Sequence, residues 1–340
     1  MTRSGFLPDR VIHLHPTGVC NLACLHCYSE SNPQQRTALD AGVVCAALDA
    51  LRSEGYTQVS LSGGEPLVYK SLMAVVEHAR TLGYRVTMIS NGLLATERMD
   101  PLLEQLDGIA ISFDGLEEAH NTMRGRPDAF WRACAALERL AAKGLPVAAA
   151  ISVTRDSIPD LPDLAEHLVR LGARALQIRP VARAGRARTL GEQTFYSPTD
   201  RARLYLVASA LQQELGEQVR VHCDLAPTLG LWRQRDDYTG LLGSCEDLCL
   251  EDRPLADLVN PLVITDTGAV KPIAYDFHGR FDVGSISDLS TESLRDYKRQ
   301  RLPQFRALMG GAVAALRDAR DLVDWFDHCT RLSENAAATE

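Results

Sequence analysis

The sequence of 340 residues has no apolar run approaching the roughly 18 residues that a helix needs to cross a membrane. It also lacks a secretory signal, because no apolar segment follows the mostly polar residues 1–5. These absences argue against a membrane protein and against an exported one. We therefore expect a protein of the reducing cytoplasm, with no membrane partner.

Cysteines are too sparse for a disulfide-stapled fold, since the chain has nine in 340 residues. Three of them, Cys20, Cys24 and Cys27, form a Cys-x3-Cys-x2-Cys run. This run lacks the fourth cysteine of a complete [4Fe–4S] ligand set, so it predicts a cluster with one iron open to another molecule. The alternatives are unligated thiols or a zinc site, although the downstream pair, Cys245 and Cys249, is spaced by three residues rather than two.

The sequence has no excess of basic residues, because 36 Lys and Arg stand against 44 Asp and Glu, and its net charge is −8. Nucleic acid binding depends on clustered positive charge, so we expect no nucleic acid partner. One basic run, Arg179–Arg188, is an exception. It is either a solvated loop or a contact for an anionic substrate group or a leader peptide.

Over its first two-thirds, the sequence alternates short apolar strands with amphipathic helices. Strands are predicted at 11–15, 59–62, 85–90, 108–113, 147–153, 175–179 and 219–224. Apolar strands joined by helices are typical of a parallel α/β sheet, which is either a barrel or doubly wound. In a barrel, the loops after the strands converge on one face, where active sites form. The polar loops that follow strands here are 20–27, 63–66, 90–92, 114 and 179–188.

The pattern changes after residue 197. The predicted elements are a helix at 199–216 capped by Thr199, an irregular stretch at 225–260, a hairpin around Asp266–Gly268, helices over 289–330 and a disordered tail at 334–340. The predicted domains are a barrel at 1–218, a small α+β extension at 219–290 and a helical segment with the tail at 291–340.

The cysteine run after a first strand, and Gly63-Gly64-Glu65-Pro66 after a second, together resemble the radical S-adenosylmethionine (SAM) superfamily over residues 10–190. The resemblance implies a partial (β/α)6 TIM-like barrel with a [4Fe–4S] cluster at its mouth. The open iron would bind SAM, and one electron would cleave SAM to a 5′-deoxyadenosyl radical that removes hydrogen from a substrate carbon. A flavodoxin or ferredoxin would be the electron donor.

The same resemblance assigns roles to individual residues. Cys20, Cys24 and Cys27 match the cluster ligands, and His26 matches a position near the adenine. The other residues that match SAM contacts are Gly63, Gly64, Glu65, Pro66, Ser90, Asn91, Ser112, Asp114, Arg124 and Ser152. Two assignments have structural alternatives: Glu65 would instead cap its loop, and Arg124 would form a surface salt bridge rather than bind the carboxylate of SAM.

The C-terminal part resembles the SPASM/twitch extension of peptide-modifying members, in its hairpin and in the pair before Ile273. That extension has a cysteine where this chain has Ile273, and its usual dense cysteine cluster beyond this position is also missing, so the cysteine count excludes a full two-cluster extension. The remaining thiols have two interpretations. They ligate a single auxiliary cluster through Cys223, Cys245, Cys249 and Cys329, or one of Cys223, Cys245 and Cys249 donates a hydrogen atom to the substrate. Cys45 and Cys134 are expected to be core residues.

These features predict a radical SAM enzyme that modifies a ribosomally made peptide by epimerisation or cross-linking. The alternative within the same chemistry is an epimerase, dehydrogenase or decarboxylase of a small natural product, such as an aminosugar or nucleoside. A non-catalytic iron–sulfur or zinc protein is the alternative of another class.

Overall fold

The computed structural model describes residues 9–235 and 250–338, and twelve strands lie within them. They are β1 Val11–Leu14, β2 Gln58–Leu61, β3 Arg85–Ser90, β4 Gly108–Phe113, β5 Val147–Val153, β6 Ala175–Pro180, β7 Arg220–Cys223, β8 Leu225–Pro227, β9 Leu262–Ile264, β10 Ala269–Pro272, β11 Gly284–Ser285 and β12 Leu322–Asp324. The first seven pair in parallel, each with the next along the chain. Short apolar strands favour this arrangement because the intervening helices cover them.

Eleven helices lie in the same described residues. They are α1 Ala41–Ser53, α2 Leu72–Thr81, α3 Asp100–Leu103, α4 Glu117–Arg124, α5 Ala129–Ala142, α6 Leu161–Arg170, α7 Pro198–Leu215, α8 Thr228–Arg233, α9 Thr291–Gln300, α10 Leu302–Ala315 and α11 Trp325–Ala338. The predicted cap Thr199 is wrong. Ser197 caps α7 instead, because its hydroxyl accepts from the Asp200 N–H and Asp200 accepts in return from the Ser197 N–H, a capping box.

Alternate residues of each parallel strand lie on opposite faces of the sheet. On β1, Ile12 and Leu14 are fully buried in the core that the helices cover. His13 lies on the other face, where it pairs in register with Ser60 of β2, which pairs with Thr87 of β3. The interior face of the barrel therefore carries polar side chains on these three strands, and ligand pockets use a few such placed polar groups to orient what they bind.

The C-terminal extension continues the same sheet. β9 pairs in parallel with β1, with Leu262 opposite Ile12, and β10 and β11 add antiparallel strands beyond it. The described sheet thus has ten strands in the order β11-β10-β9-β1-β2-β3-β4-β5-β6-β7. The predicted fold class, a partial α/β barrel with a small C-terminal extension, is confirmed.

Two predictions for the C-terminal third need correction. The stretch at 225–260 is not wholly irregular, because it contains α8 and β8, which pairs antiparallel with β12. The predicted disordered tail is helical to Ala338, since α11 docks through the buried residues Cys329 and Ser333. The Ser333 hydroxyl accepts a hydrogen bond from the His278 N–H at 3.0 Å. No helix in the described ranges is long and apolar enough to cross a membrane.

A buried ion pair anchors the C-terminal helices to the barrel. Lys298 of α9 lies with its Nζ 2.6 Å from Glu54 Oε2 at the end of α1, and the two side chains are only 5% and 11% exposed. The Leu255 N–H also donates to Glu54 Oε2, at 2.7 Å. One carboxylate therefore joins α1 both to α9 and to the extension at Leu255.

We expect Lys298→Ala to lower the free energy of unfolding by about 3–5 kcal/mol, because it leaves Glu54 as a buried unpaired charge. Urea unfolding followed by circular dichroism measures the effect. The control is Arg85→Ala, which removes an exposed pair with Asp9 and should change stability by less than about 1 kcal/mol. Equal losses in the two variants would contradict this account of the anchor.

Candidate active site

The three cysteines of the sequence motif lie together on the loop that follows β1. Cys20 and Cys24 are buried and Cys27 is half-buried, and they pack with Leu22 and Leu93 in a small apolar cluster separate from the main core. All three are free thiols. In the described part of the chain, no three His, Cys, Asp or Glu side chains surround a single metal-ion position. The thiolates of a [4Fe–4S] cluster need no such position, because each binds a different iron.

The surroundings of the sulfurs suit thiolates bound to iron. Cys20 Sγ accepts the Leu22 N–H at 3.4 Å, and Arg124 Nη1 lies 3.9 Å from Cys24 Sγ. Burial raises the pKa of Cys20 to about 12 and raises that of Cys24, which Arg124 partly offsets. A thiolate buried here needs a cationic partner, which the irons of a cluster provide. The residues present therefore fit a [4Fe–4S] cluster.

The turn after β2 is hydrogen-bonded to the cysteine loop through its backbone. The Gly64 N–H donates to the Thr17 carbonyl at 2.9 Å, and the Glu65 N–H donates to the Val19 carbonyl at 3.0 Å. A Cβ at Gly64 would lie 2.1 Å from the Val19 oxygen, and Gly63 has a φ of +108°. Only glycine permits this close approach and this backbone conformation.

The side chain of Glu65 caps its own turn and joins it to the end of β3. Its carboxylate accepts from the Ser90 hydroxyl and the Asn91 N–H, both at 2.9 Å, and from the Leu67 N–H at 3.2 Å, where Pro66 begins a 3-10 turn. Burial raises the pKa of Glu65, and these hydrogen bonds partly offset the shift. The geometry favours the loop-capping alternative for Glu65.

The other serine and asparagine candidates follow the strand ends. Asn91 Nδ2 donates to Asn21 Oδ1 at 2.8 Å and lies 4.0 Å from Cys20 Sγ, so the end of β3 contacts the cysteine loop directly. Ser112 of β4 and Ser152 of β5 alternate with buried neighbours and lie on the interior face of the barrel.

A cluster of charged side chains lies behind Cys24. Asp114, which is fully buried after β4, receives two hydrogen bonds from Arg124, at 2.5 and 3.0 Å. His26 Nε2 lies 2.8 Å from the same carboxylate, and the Asp114 N–H donates to His120 Nδ1 at 3.2 Å. Arg124 is therefore held in a buried bidentate pair with one nitrogen directed at Cys24, rather than in the surface salt bridge of the alternative assignment.

The electrostatics of this cluster keep Asp114 ionised. Burial alone would raise the pKa of Asp114, but the charge of Arg124 and the hydrogen-bonded His26 hold it far below its usual range. Burial lowers the pKa of His120 to about 4, so this imidazole is neutral and accepts from the backbone. His120 and the pairing of Arg124 with Asp114 were not predicted from the sequence, because both depend on the polar helix α4, which has no clear apolar pattern.

The basic run Arg179–Arg188 folds onto the cysteine loop at one residue. The Arg186 N–H donates to the Cys27 carbonyl at 3.0 Å, and its guanidinium donates to the carbonyls of Cys24 at 2.8 Å and Ser31 at 2.7 Å. At Arg186 the solvated-loop interpretation is therefore wrong, because its side chain donates to two carbonyls of an irregular loop and its backbone N–H donates to a third. The glycine before Arg186 was the one local signal of a tight turn at this place, and Gly185 does have a φ of +49°, in the region that favours glycine.

The other arginines of this run have separate partners. Arg183 pairs with Glu192 at the surface, and Arg188 lies 3.6 Å from Glu334. Arg179 pairs in register with Ser152 on the interior face of the barrel. Among the arginines of this run, Arg186 is the one that donates hydrogen bonds to the cysteine loop in the described part of the chain.

The C-terminal cysteines do not form a described site. Cys223 pairs in register with Ile178, whose side chain is fully buried on the helix-covered face, so Cys223 lies on the face opposite the barrel interior. This position does not favour hydrogen donation to a substrate in the barrel. Cys329 is buried on α11, and burial raises the pKa of Cys223 to about 11. Cys245 and Cys249 lie outside the described residues, so the auxiliary cluster stays a prediction.

Two curated proteins are similar to part of this chain. The sporulation killing factor maturation protein SkfB of Bacillus subtilis is 27% identical over 53% of this chain and 43% of its own length. An AdoMet-dependent heme synthase of Oleidesulfovibrio alaskensis is 31% identical over 54% of this chain and 48% of its own length. The chain thus spans about half the length of these relatives.

The fold is similar to that of a solved protein although the two sequences share few identical residues. Streptococcus suis SuiB, solved with bound S-adenosylmethionine and also with its precursor peptide SuiA, superimposes with a TM-score of 0.66 at 14% identity in the SAM-bound form. That alignment covers 89% of this chain and 68% of SuiB. The family described as the Radical SAM superfamily, whose cofactors are a [4Fe–4S] cluster and SAM, matches residues 14–171, which include the cysteine loop and the glycine turn. Residues 14–171 of the chain are therefore a radical SAM domain.

Proposed function

We propose that this protein is an enzyme that cleaves SAM reductively and removes a hydrogen atom from a carbon of its substrate. The observation that carries the proposal is the set of three free cysteines on one loop, with N–H donors directed at two of their sulfurs. When bound, the cluster would supply one electron to the SAM sulfonium, which then breaks into methionine and a 5′-deoxyadenosyl radical. The protein's own contribution is to bind, orient and shield the reactants.

Residues around the cysteine loop would hold SAM. The Gly63–Pro66 turn is held by two backbone hydrogen bonds and by the Glu65 side chain, so its backbone is preset to receive the methionine ammonium. Ser90 and Asn91 would lie at the ribose, with Ser112 and Ser152 at the interior strand ends. We assign the carboxylate of SAM to Arg124, because its Nη1 is directed towards Cys24 while Asp114 holds the rest of the guanidinium.

A peptide is the substrate class that we favour, with epimerisation or cross-linking as the reaction. Its support is the similarity to SkfB, named as a maturation protein, and the shared fold with SuiB, solved with a precursor peptide. A small natural product is the second candidate, and the similarity to a heme synthase favours it. Each of these similarities supports a substrate class and none identifies the atom attacked.

The cluster assignment is tested by Cys24→Ala, which we expect to abolish iron binding after anaerobic reconstitution and to abolish 5′-deoxyadenosine formation from SAM. Iron and sulfide analysis and chromatography of the nucleoside measure the two effects, and circular dichroism checks the fold. Cys45→Ala on α1 is the matched control and should keep both properties. A Cys24→Ala variant with full iron content and turnover would refute the assignment.

The role of Arg124 is tested by Arg124→Lys, which keeps the charge but loses the forked geometry. We expect the Kd for SAM to rise about tenfold or more with iron content unchanged, because the carboxylate loses a charge-assisted hydrogen bond. Equilibrium dialysis with SAM gives the value. Arg126→Lys is the control, because Arg126 lies two residues after Arg124 and forms an exposed ion pair with Asp128. An unchanged Kd in Arg124→Lys would show that this guanidinium does not bind SAM.

Substrate class is tested by co-expression with a short open reading frame next to the gene, if one is present, followed by mass spectrometry of the peptide. Cross-linking removes two hydrogens from the peptide, whereas epimerisation leaves the mass unchanged in water and replaces one carbon-bound hydrogen with deuterium in D2O. If the peptide stays unmodified and the enzyme instead turns over an aminosugar or nucleoside made by the products of neighbouring genes, the small natural product is the substrate class.

A further inference from the structure

The turn between β9 and β10 reaches the cysteine loop from the C-terminal extension. Because β9 runs parallel to β1, its C-terminal end lies at the same edge of the sheet as the loop after β1. Asp266 lies in this turn and is buried. A carboxylate buried at this place needs hydrogen-bond donors, and the cysteine loop provides one of them.

Each carboxylate oxygen of Asp266 accepts a hydrogen bond from a hydroxyl group. Thr37 Oγ1 donates to Asp266 Oδ2 at 2.5 Å, and the Tyr275 hydroxyl donates to Oδ1 at 2.7 Å. The Gly18 N–H donates to the Thr37 carbonyl at 3.0 Å, and a Cβ at Gly18 would lie 2.4 Å from Asp266 Oδ2. Residues 18 and 37 flank the three cysteines and are hydrogen-bonded to each other, and Asp266 binds this junction of the two loop ends through Thr37.

Tyr275 makes a second contact with the same loop. Its ring stacks on His15, with centroids 5.0 Å apart, and packs edge-on against Tyr28 at 5.4 Å. Tyr28 directly follows Cys27. Burial lowers the pKa of His15 to about 3, so the ring on which Tyr275 stacks is uncharged.

The backbone between the end of β10 and Tyr275 has an unusual conformation. Ile273 stands where the SPASM/twitch pattern has a cysteine, and it is buried with a φ of +67°. A β-branched residue in this left-handed region is strained and persists only where its surroundings hold it. The Ile273 N–H donates to the Pro261 carbonyl at 2.9 Å, which helps to hold the turn that leads to Tyr275.

We propose that Asp266 and Tyr275 are positioning residues of the cluster site, which clamp the cysteine loop in the conformation that binds iron. The segment that follows β9 thereby contributes a carboxylate and a phenol to the support of the cysteine loop. The inference rests on the proposed function only in taking the three cysteines as the iron ligands. The clamp itself is a property of the metal-free chain.

The test compares Asp266→Asn with Asp282→Asn in the same extension. Asp282 pairs with Lys271, and its described contacts do not include the cysteine loop. In the metal-free protein, mass spectrometry follows the alkylation of Cys20, Cys24 and Cys27 by iodoacetamide. We expect alkylation about fivefold faster in Asp266→Asn, because a loop that loses a hydrogen bond to a charged group opens more often. The rate in Asp282→Asn should match the unsubstituted protein.

After reconstitution, Asp266→Asn should lose iron to a chelator faster and reduce its cluster at a less negative midpoint potential, since a nearby negative charge is removed. Tyr275→Phe keeps the ring contacts and should show a smaller change in alkylation. If Asp266→Asn does not fold, Thr37→Val removes the donor from the other side and should reproduce the faster alkylation. Unchanged alkylation and potential in folded variants would overturn the proposal. A chain that binds no iron would end the proposed function while the alkylation result still decides the clamp.

Discussion

The constraint on which the rest of the structure depends is that three cysteine ligands lie on a loop without regular secondary structure. Such a loop has no helix or strand ladder to hold its backbone groups, so each must find a partner elsewhere. Four other segments bind the loop: the glycine turn after β2 and Arg186 after β6 donate to its backbone carbonyls, whereas Asn91 at the end of β3 and Asp266 of the hairpin bind its side chains. A parallel sheet brings the first three of these to one edge, and the β9 strand adds the fourth.

The buried carboxylates at the site are paired with donors, and one guanidinium nitrogen of Arg124 remains directed at the cysteines. The Asp114 carboxylate pairs with Arg124 and His26, and the Glu65 carboxylate accepts hydrogen bonds from Ser90 and Asn91, so both buried carboxylates have donors. The remaining guanidinium nitrogen of Arg124 is directed at Cys24. An anionic cluster and a carboxylate of SAM would both be stabilised by this arrangement, whereas an additional free carboxylate would oppose them.

The parallel strands and the cysteine and glycine motifs were predictable from sequence, because apolar strands and rigid turn residues leave local signals. Strands β3, β4 and β5 have the predicted bounds. What the sequence did not reveal were contacts between distant segments: Arg124 with Asp114, Arg186 with the carbonyls of the cysteine loop, and Asp266 with Thr37. The polar helix α4 has little apolar periodicity, and the helical end of α11 depends on docking through Cys329 and Ser333, so neither left a local signal.

The central claim is that Cys20, Cys24 and Cys27 hold a cluster whose fourth iron binds SAM. Electron paramagnetic resonance of the reconstituted, dithionite-reduced protein, with and without SAM, tests it most directly. The account predicts a [4Fe–4S]+ signal whose g-values shift when SAM is added, because SAM becomes a ligand of the open iron. A signal that SAM leaves unchanged, or a protein that takes up zinc and no iron, would contradict it.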